Sequence, residues 1–349
     1  DKLGVQWRPC GMGTGTLARI SGKQPGRTIL LRGDIDALSV KEETGLPYAS
    51  TNPGVMHACG HDCHISMLLT AVHMIHDIQD QLKGTVVFAF QPAEEIGRGA
   101  QSMIAEGALE GVDACFGMHV WSDVAAGKVA MRKGAMMASG DRFKVKVIGK
   151  SGHGAQPQRA VDAVVMGAAI VQNLQSLVSR ELDPIDTAVV TVGKFTGGTR
   201  FNVIAGTAEL EGTTRAFNPE VRNSFAERIT RIAKSTAEAM RGTAEVEYEY
   251  LVPVTINDPK MIDVAAGAAK KIFGEDGVLE APQMMGGEDF SYYQEKIPGA
   301  MVLLGVRNEA LGAVWPQHHG CYRVDESVLV KGAALHVQTA LDFLGVELH

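Results

Sequence analysis

The sequence predicts an α/β protein in which a domain with a mostly parallel sheet is interrupted by a smaller α+β domain. Near both ends of the chain, short apolar runs alternate with segments of helical spacing, as in βαβ units. Between residues 139 and 252 the strand candidates alternate polar and apolar residues, which is typical of strands with one exposed face. The length of 349 residues suits two domains.

The first part of the larger domain, residues 1–138, contains three candidates for buried strands. They are TILLRGDIDA (28–37), TVVFAFQPA (85–93) and ACFGMHV (114–120). Each is short and apolar enough for a strand buried on both faces. The segment HISMLLTAVHMIHDI (64–78) has apolar residues at helical spacing, and Asp62 is the predicted N-cap of this helix.

The inserted domain, residues 139–252, has the predicted order βαββαβ, which indicates a ferredoxin-like antiparallel sheet with two helices. Its strand and helix candidates in chain order are DRFKVKVIGK, AVDAVVMGAAIVQNLQSLVS, TAVVTVGKFT, AELEGTTRAF, PEVRNSFAERITRIAKSTAEAM and AEVEYEYLV. The larger domain resumes over residues 253–349. It contains a buried strand, AMVLLGV (300–306), and a last amphipathic helix from Asp325.

Composition argues against several classes of partner. The net charge of −7 and the pI of about 5.9 give no basic surface for nucleic acid. No apolar run reaches the roughly 18 residues that span a bilayer, and the first residues lack the layout of a signal peptide. The five scattered cysteines do not form a disulfide framework and are typical of a reducing cytosol. We therefore expect a cytoplasmic protein without nucleic-acid or membrane partners.

The stretch VMHACGHDCH (55–64) has the highest density of metal-binding side chains in the chain. His57, Cys59 and His61 alternate by two, so an extended backbone would point them to one side. Thiolate and imidazole together suit zinc or another late first-row metal. A tight turn of buried polar residues without a metal is the alternative reading.

Three other clusters lie where a parallel sheet would gather its strand ends. Glu94 and Glu95 follow one apolar run, His119 ends another, and His318 lies in the motif QHHG. Ligands bind at the carboxyl ends of strands in open α/β sheets. Taken one at a time, the two acids also fit a solvated loop, and the histidine also fits a buried core position.

Eight segments occur in the order of one known family. They are LRGDIDAL, MHACGHDCH, QPAEE, GMHV, SGHGAQP, GGTRFNVI, GGEDFSYY and HHGCYRVDE. In these segments the sequence resembles the dinuclear metallo-amidohydrolases, which include bacterial aminoacylases, hippurate hydrolase, N-acetyldiaminopimelate deacetylase and the hydrolases of indole-acetyl-amino acids. Aminoacylase-1 and glutamate carboxypeptidase are relatives of this family. The resemblance implies a phosphorylase/hydrolase-like catalytic domain with an inserted lid and dimerisation domain.

The resemblance also implies a site for two divalent ions per subunit, zinc or manganese first and nickel or cobalt as alternatives. The implied ligands are Cys59, His61, Glu95, His119 and His318. His318 is preferred to His319 because it lies seven residues before Asp325, as in the family. Glu94 is implied as the general base. Since adjacent residues of a strand point apart, Glu94 and Glu95 can serve one site only if the backbone bends between them.

Further polar residues have two possible roles each. Asp34 and Asp36 fit groups that orient ligand imidazoles, and they equally fit a strand-end turn. In the family, a histidine of the inserted domain polarises the substrate carbonyl in the other subunit's site, and His153 matches it. Asn202 and Arg215 match positions near the substrate carboxylate. The alternatives are a turn histidine and structural roles, respectively.

The implied reaction is hydrolysis of an N-acyl amino acid, such as an N-acetyl or N-benzoyl derivative, by a homodimer or higher homo-oligomer. A dipeptidase or carboxypeptidase of the same fold is the alternative, followed by a non-catalytic metal-binding module. The sequence departs from the family at its start, where the usual helical segment with an LH..PE-like motif does not occur. Gly286, Gly287 and Glu288 are expected to shape a loop at the rim of the site.

Overall fold

The computed structural model describes residues 2–348, which divide into two compact units. The first unit comprises Asp1–Met136, Thr255–Pro282 and Glu288–His349, and the second comprises Met137–Val254 and Gln283–Gly287. The second unit thus covers the predicted insertion and also takes Gln283–Gly287, which the sequence analysis placed in the larger domain. The reason is backbone pairing, because the Ala138 N–H donates to the Met284 carbonyl at 2.9 Å.

The strands and helices have the following bounds. The strands are β1 (Gln6–Pro9), β2 (Thr16–Ser21), β3 (Gln24–Asp34), β4 (Lys83–Gln91), β5 (Ala114–Ala125), β6 (Val129–Met131), β7 (Gly134–Met137), β8 (Gly140–Ile148), β9 (Gly152–His153), β10 (Ala188–Gly197), β11 (Val203–Ile204), β12 (Thr207–Ala216), β13 (Thr243–Val252), β14 (Thr255–Asn257), β15 (Val278–Glu280) and β16 (Gly299–Arg307). The helices are α1 (His61–Asp77), α2 (Gly99–Ala105), α3 (Ala163–Ser176), α4 (Pro219–Ala239), α5 (Pro259–Phe273), α6 (Ser291–Gln294) and α7 (Leu329–Leu344).

The first unit is built on an eight-stranded sheet with the order β1-β2-β4-β3-β5-β16-β6-β15. Its four central strands, β4, β3, β5 and β16, are parallel to one another, whereas β4 pairs antiparallel with β2 and β16 pairs antiparallel with β6. Helices α1, α5 and α7 pack together beside these strands over an apolar core. Since the central strands are parallel, their carboxyl ends all lie at the same end of the sheet. A site is expected at this carboxyl end.

Helix α1 begins one residue earlier than predicted, and Asp62 is not its N-cap. The N-cap is Gly60, whose φ of 84° lies in the left-handed region that favours glycine. A Cβ at this position would come within 2.5 Å of Val120 Cγ2. The Asp62 carboxylate instead accepts from the Cys63 N–H at 3.0 Å. As a result His61 is the first helical residue, at the edge of the sheet where the strands end.

The second unit has a four-stranded antiparallel sheet with the order β10-β12-β8-β13. Strand β8 alternates buried Phe143, Val145 and Val147 with exposed side chains. The buried face packs with helices α3 and α4 into a separate apolar core. Within residues 2–348, neither unit contains a helix long and apolar enough to cross a membrane.

Candidate metal centre and active site

Three residues from the loop before α1, from α1 itself and from β5 meet at the carboxyl edge of the central strands. Potential ligand atoms of Cys59, His61 and His119 all lie within 4.8 Å of one another. The three side chains are buried, and Cys59 Sγ lies 3.4 Å from His119 Nε2. The structure therefore brings together three of the five predicted ligands.

Glu95 and His318 join this cluster from two other loops. His318 Nε2 lies 3.4 Å from Glu95 Oε1, and His61 Nε2 lies 3.9 Å from the same oxygen. Cys59, Glu95 and His318 form a second group whose ligand atoms lie within 4.8 Å. The His318 backbone is held by its N–H, which donates to the Ala58 carbonyl at 2.7 Å. All five predicted ligands are thus contiguous.

The neighbouring His319 makes different contacts. Its ring stacks on Trp315 with centroids 4.3 Å apart and an interplanar angle of 13°. Its Nδ1 accepts from the Cys321 N–H at 3.0 Å. Of the two adjacent histidines, His318 is therefore the one placed beside Glu95.

The bend that Glu94 and Glu95 require occurs at Ala93. Strand β4 ends at Gln91, and Ala93 has a φ of 57°, which is uncommon for a residue with a side chain. The turn closes with the Gly97 N–H donating to the Glu94 carbonyl at 2.7 Å. Both adjacent carboxylates consequently reach one group of potential ligand atoms together with His61.

Asp36 orients His61. Its Oδ1 lies 3.1 Å from His61 Nδ1, and its Oδ2 accepts from the Glu95 N–H at 3.0 Å. With Nδ1–H donating to the carboxylate, the neutral form of His61 has its lone pair on Nε2, as in the carboxylate–histidine pairs of metal sites. Burial opposes ionisation of Asp36, but the hydrogen bonds from His61 and Glu95 hold its pKa below the usual value.

Asp34 and His64 form a second buried pair behind the cluster. His64 Nδ1 bonds to Asp34 Oδ1, and His64 Nε2 accepts from the Val120 N–H at 2.9 Å. Both ring nitrogens of His64 are therefore occupied by the protein, so His64 has no free lone pair for a metal ion. Burial opposes ionisation of Asp34, yet Arg32 and the two histidines hold its pKa well below the usual value.

The charges of the cluster favour a cation. Burial and the Glu95 and Glu94 carboxylates raise the pKa of the Cys59 thiol. Against the effect of burial, the Asp34 and Asp36 carboxylates raise the pKa of His61 to about 9. In the absence of a bound cation, these shifts keep the protons on Cys59 and His61. Both residues must release a proton in order to bind a metal ion.

The donor set fits a divalent metal ion. His61 Nε2 and Glu95 Oε1 are buried and have no hydrogen-bond partner among residues 2–348. Such buried polar atoms are costly unless a ligand satisfies them. Thiolate, imidazole and carboxylate are the usual ligands of zinc and related ions. The residues present therefore match the group that the sequence predicts.

Glu94 has a different environment from Glu95. Burial, then the Glu288 and Asp289 carboxylates, raise the pKa of Glu94 well above the usual value. The Asp289 N–H lies 3.4 Å from Glu94 Oε1. Glu94 thus lies between the ligand cluster on one side and the acidic Glu288–Asp289 segment on the other.

Asp34 and Glu288 were expected near the site, but the buried hydrogen-bond network that joins them to Arg32, Gln91 and Asp289 was not predicted. We name it the Arg32 network, which consists of Arg32, Asp34, Gln91, Glu288 and Asp289. All five are at most 1% exposed. The available signal was an arginine inside the apolar run TILLRGDIDA, a position where an unpaired charge is costly.

His153, Asn202 and Arg215 lie in the second unit. His153 and Asn202 are close, because strands β9 and β11 pair there and the Gly154 N–H donates to the Asn202 carbonyl at 2.9 Å. Both side chains are exposed. Arg215 NH1 contacts the Thr213 hydroxyl and the Thr214 carbonyl within its own sheet.

The fold and the cluster define the class first: an α/β protein with a mostly parallel sheet and a candidate site for metal ions at the strand ends. The chain belongs to peptidase family M20/M25/M40, whose sequence profile matches residues 30–342. It is 40% identical to an N-acetyl-L-cysteine deacetylase of Bacillus subtilis over 97% of this chain and 79% of the relative. It is 38% identical to thermostable carboxypeptidase 1 of Saccharolobus solfataricus over 98% of this chain and 87% of the relative.

Solved structures agree with this assignment. A dinuclear metal-binding peptidase of the M20 family from Bacillus subtilis aligns with a TM-score of 0.86 and 34% identity, over 99% of this chain and 90% of that chain. An aminohydrolase structure from methicillin-resistant Staphylococcus aureus aligns with a TM-score of 0.92 and 37% identity, over 98% and 88% of the two chains. The predicted family and class are confirmed, and the protein is a metal-dependent amidohydrolase.

Proposed function

We propose that the protein hydrolyses the amide bond of an N-acyl amino acid, with Glu94 as the general base. The observation that carries this proposal is the left-handed turn at Ala93, which directs the adjacent Glu94 and Glu95 to the ligand cluster. A purely structural metal site needs Glu95 but has no use for a second carboxylate beside it. Glu94 is therefore the residue available for proton transfer.

We assign two divalent ions to the cluster. The proposed ligands are Cys59, His61, Glu95, His119 and His318. Zinc or manganese is proposed first, and nickel or cobalt second, because the donors are thiolate, imidazole and carboxylate. When bound, the ions supply Lewis-acid polarisation of the amide carbonyl.

Glu94 carries the proton through the reaction. It accepts one proton from the attacking water as the water oxygen bonds to the acyl carbon. It then donates that proton to the leaving nitrogen as the C–N bond breaks. The products are a carboxylic acid and an amino acid with a free amine, and no covalent enzyme intermediate is required.

We propose that His153 donates a hydrogen bond to the amide oxygen in the site of a second subunit. His153 Nδ1 accepts from the Ala155 N–H at 3.1 Å, which leaves the proton on Nε2 for donation. Asn202, beside His153, and Arg215 are proposed to bind the substrate carboxylate, for which the guanidinium fork is suited.

This role of His153 requires a homodimer or higher homo-oligomer through the second unit, its proposed lid and dimerisation domain. Support comes from the edge strand β10 and from four exposed apolar side chains, Val164, Val165, Phe195 and Phe201. Mixing inactive His153→Ala with inactive Glu94→Gln protein tests it, since a mixed dimer contains one intact site. Recovered turnover is expected, and failure to recover it when subunits exchange freely contradicts the shared site.

A substrate panel tests the function itself. Metal-free protein is loaded with Zn²⁺, Mn²⁺, Co²⁺ or Ni²⁺, and the ions per chain are counted by elemental analysis. N-acetyl and N-benzoyl derivatives of the common amino acids are then offered, and amine release is measured. We expect two ions per chain and turnover of at least one derivative. Fully loaded protein that is inert on the whole panel overturns the proposal.

A dipeptidase or carboxypeptidase activity is the second candidate. The observation that favours it is the 38% identity to thermostable carboxypeptidase 1 of Saccharolobus solfataricus. Dipeptides with a free amino terminus and their N-acetylated forms separate the two activities in one assay. A non-catalytic metal-binding module, the last alternative, predicts one ion per chain and no turnover of either set.

We further propose a cytoplasmic enzyme that acts on a small-molecule substrate, without nucleic-acid or membrane partners. The five cysteines are all free thiols, which suits a reducing compartment. The net charge of −7 does not favour polyanions. Cell fractionation with an antibody against the protein tests the location, and recovery in the membrane pellet contradicts it.

A further inference from the structure

We propose that Arg32 is a positioning residue that holds the general base Glu94 at a fixed place relative to the metal ligands. It acts through Asp289 and Gln91 and does not contact the substrate. The inference rests on the proposed role of Glu94. It assigns a function to a buried charge that the metal site and the proposed chemistry leave unexplained.

Arg32 lies in β3 and is 0% exposed. Its guanidinium donates four hydrogen bonds to four different side chains. These are Nε to Gln91 at 3.0 Å, NH1 to Asp34 at 2.7 Å, NH2 to Glu288 at 2.8 Å and NH2 to Asp289 at 2.9 Å. The planar guanidinium thus holds the Glu288 and Asp289 carboxylates at NH2 and the Asp34 carboxylate at NH1.

Asp289 connects this network to Glu94. Its Oδ1 accepts from Arg32 and from Gln91 Nε2 at 2.7 Å, and its Oδ2 accepts from the Ala100 N–H at 3.0 Å. Its own backbone N–H lies 3.4 Å from Glu94 Oε1. Because both carboxylate oxygens of Asp289 are held, the N–H that faces Glu94 has a defined position.

Gln91 connects the network to the backbone that carries Glu94. It is the last residue of β4, three positions before Glu94, and its side chain binds both Arg32 and Asp289. The strand end and the Asp289 segment are therefore held by the same guanidinium. Displacement of Arg32 would therefore loosen both the end of β4, which carries Glu94, and the Asp289 N–H, which faces the Glu94 carboxylate.

Asp34 connects the network to the ligand side of the site. The carboxylate that accepts from Arg32 NH1 also bonds to His64 and lies 3.4 Å from His61 Nε2. Arg32 consequently sets the spacing between the proposed base and a proposed ligand. A displacement of about 1 Å at a reacting group can lower a rate by about 100-fold.

Lysine at position 32 provides the sharpest test, because it keeps the charge but cannot present the planar fork. In Arg32→Lys we expect kcat to fall on the order of 100-fold, with KM and two ions per chain retained. The visible spectrum of the Co²⁺-loaded protein should be unchanged, since it reports the ligands.

A double-mutant cycle separates positioning from general damage. If Arg32 acts through Glu94, Arg32→Lys should cause no further loss of turnover in the Glu94→Gln background. The matched control is Arg222→Lys, which alters the other buried arginine, paired with Asp141 at 2.8 and 2.9 Å. Arg222→Lys should leave turnover per folded protein almost unchanged, both in the wild-type background and in the Glu94→Gln background.

Three results overturn the proposal: wild-type kcat in Arg32→Lys, an equal loss in both Glu94 backgrounds, or loss of bound metal that explains the lower rate. Should Arg32→Lys fail to fold, Asp289→Asn enters the same cycle, because it removes the charge that Arg32 and Gln91 hold. Wild-type protein that is inert on every N-acyl substrate contradicts the proposed function instead. That outcome is distinguishable, since it appears before any variant is made.

Discussion

Each unit of the protein buries an arginine against carboxylates, but the two arrangements differ in their contacts. In the second unit, Arg222 binds Asp141 through two hydrogen bonds of 2.8 and 2.9 Å. The remaining capacity of Asp141 is filled by the Leu251 N–H and the Tyr248 hydroxyl. In the first unit, Arg32 binds three carboxylates, those of Asp34, Glu288 and Asp289, and Asp34 also contacts His61 and His64.

The difference separates a structural ion pair from a functional one. A buried, hydrogen-bonded ion pair of this kind holds elements together. An unbalanced set of buried carboxylates is costly unless other positive charge is present. The carboxylates of the first unit lie beside the ligand cluster, where bound divalent ions would supply the positive charge that balances them. Four experiments test this difference between the two units.

Replacement of Glu94 by glutamine has the largest expected effect. The shape of the side chain is kept but the base is lost, so kcat should fall by about 100- to 10,000-fold. The metal content should remain at two ions per chain, because Glu94 is not a proposed ligand. Steady-state kinetics and elemental analysis on the same preparation measure both quantities. Wild-type turnover in Glu94→Gln would show that the base lies elsewhere.

Asp141→Asn tests the buried ion pair of the second unit. The change leaves the Arg222 charge buried without its carboxylate, and breaking such a pair costs about 3–5 kcal/mol. Urea denaturation measures the loss. The control is Arg142→Gln on the same strand, where an exposed Arg142–Glu211 pair should contribute little. Equal stabilities for Asp141→Asn and the control would mean that the buried pair is not structural.

Metal removal tests the unbalanced set of the first unit. A ligand present at 100 times its Kd stabilises the folded state by about 2.7 kcal/mol, and chelation should remove that stabilisation. Thermal unfolding with and without added Zn²⁺ or Mn²⁺ measures the change. The increment should be retained in Asp141→Asn, whose defect lies in the other unit. The stabilisation by added metal should be smaller in Glu95→Gln than in the wild type. An equal stabilisation would contradict the assignment of Glu95 as a metal ligand.

Much of the local structure could be predicted because it depends on local patterns. The apolar runs gave β3, β4, β5 and β16, and the helical spacing gave α1, with ends shifted by a few residues. The ligand set could be predicted from the resemblance to a known family, whereas the residue types alone also fitted a buried polar turn, a solvated loop and a core histidine. The structure confirms that these residues are contiguous, while their roles remain proposals.

The supporting contacts could not be predicted, because they join distant segments. Arg32 and Glu288 are 256 residues apart in sequence, and no local pattern specifies that they touch. The bend at Ala93 was required by the chemistry but has no glycine to signal it. The N-cap was placed at Asp62 because aspartate is a common cap, whereas close packing against Val120 selects Gly60.

A fourth test concerns a buried group with no oppositely charged partner, His336 in α7. It is 1% exposed, its ring lies edge-on to Phe116, and its Nδ1 has no hydrogen-bond partner among residues 2–348. Burial, followed by the nearby His64, lowers the pKa of His336 from 6.5 to about 3. His336 is therefore neutral in the folded protein at every pH near neutrality.

The sign of the pH dependence follows from the unfolded chain, which takes up this proton below pH 6.5 while the folded protein does not. His336 has no such effect above pH 6.5, and its destabilisation grows by about 1.4 kcal/mol per pH unit below it, until about pH 3. At pH 4.5 the accumulated effect is about 2–3 kcal/mol. His336→Leu should lack this contribution, so its stability relative to wild type should rise between pH 7 and pH 4.5. A stability difference that stays constant over this range would show that His336 becomes protonated in the folded protein, and that burial without a partner does not keep this group neutral.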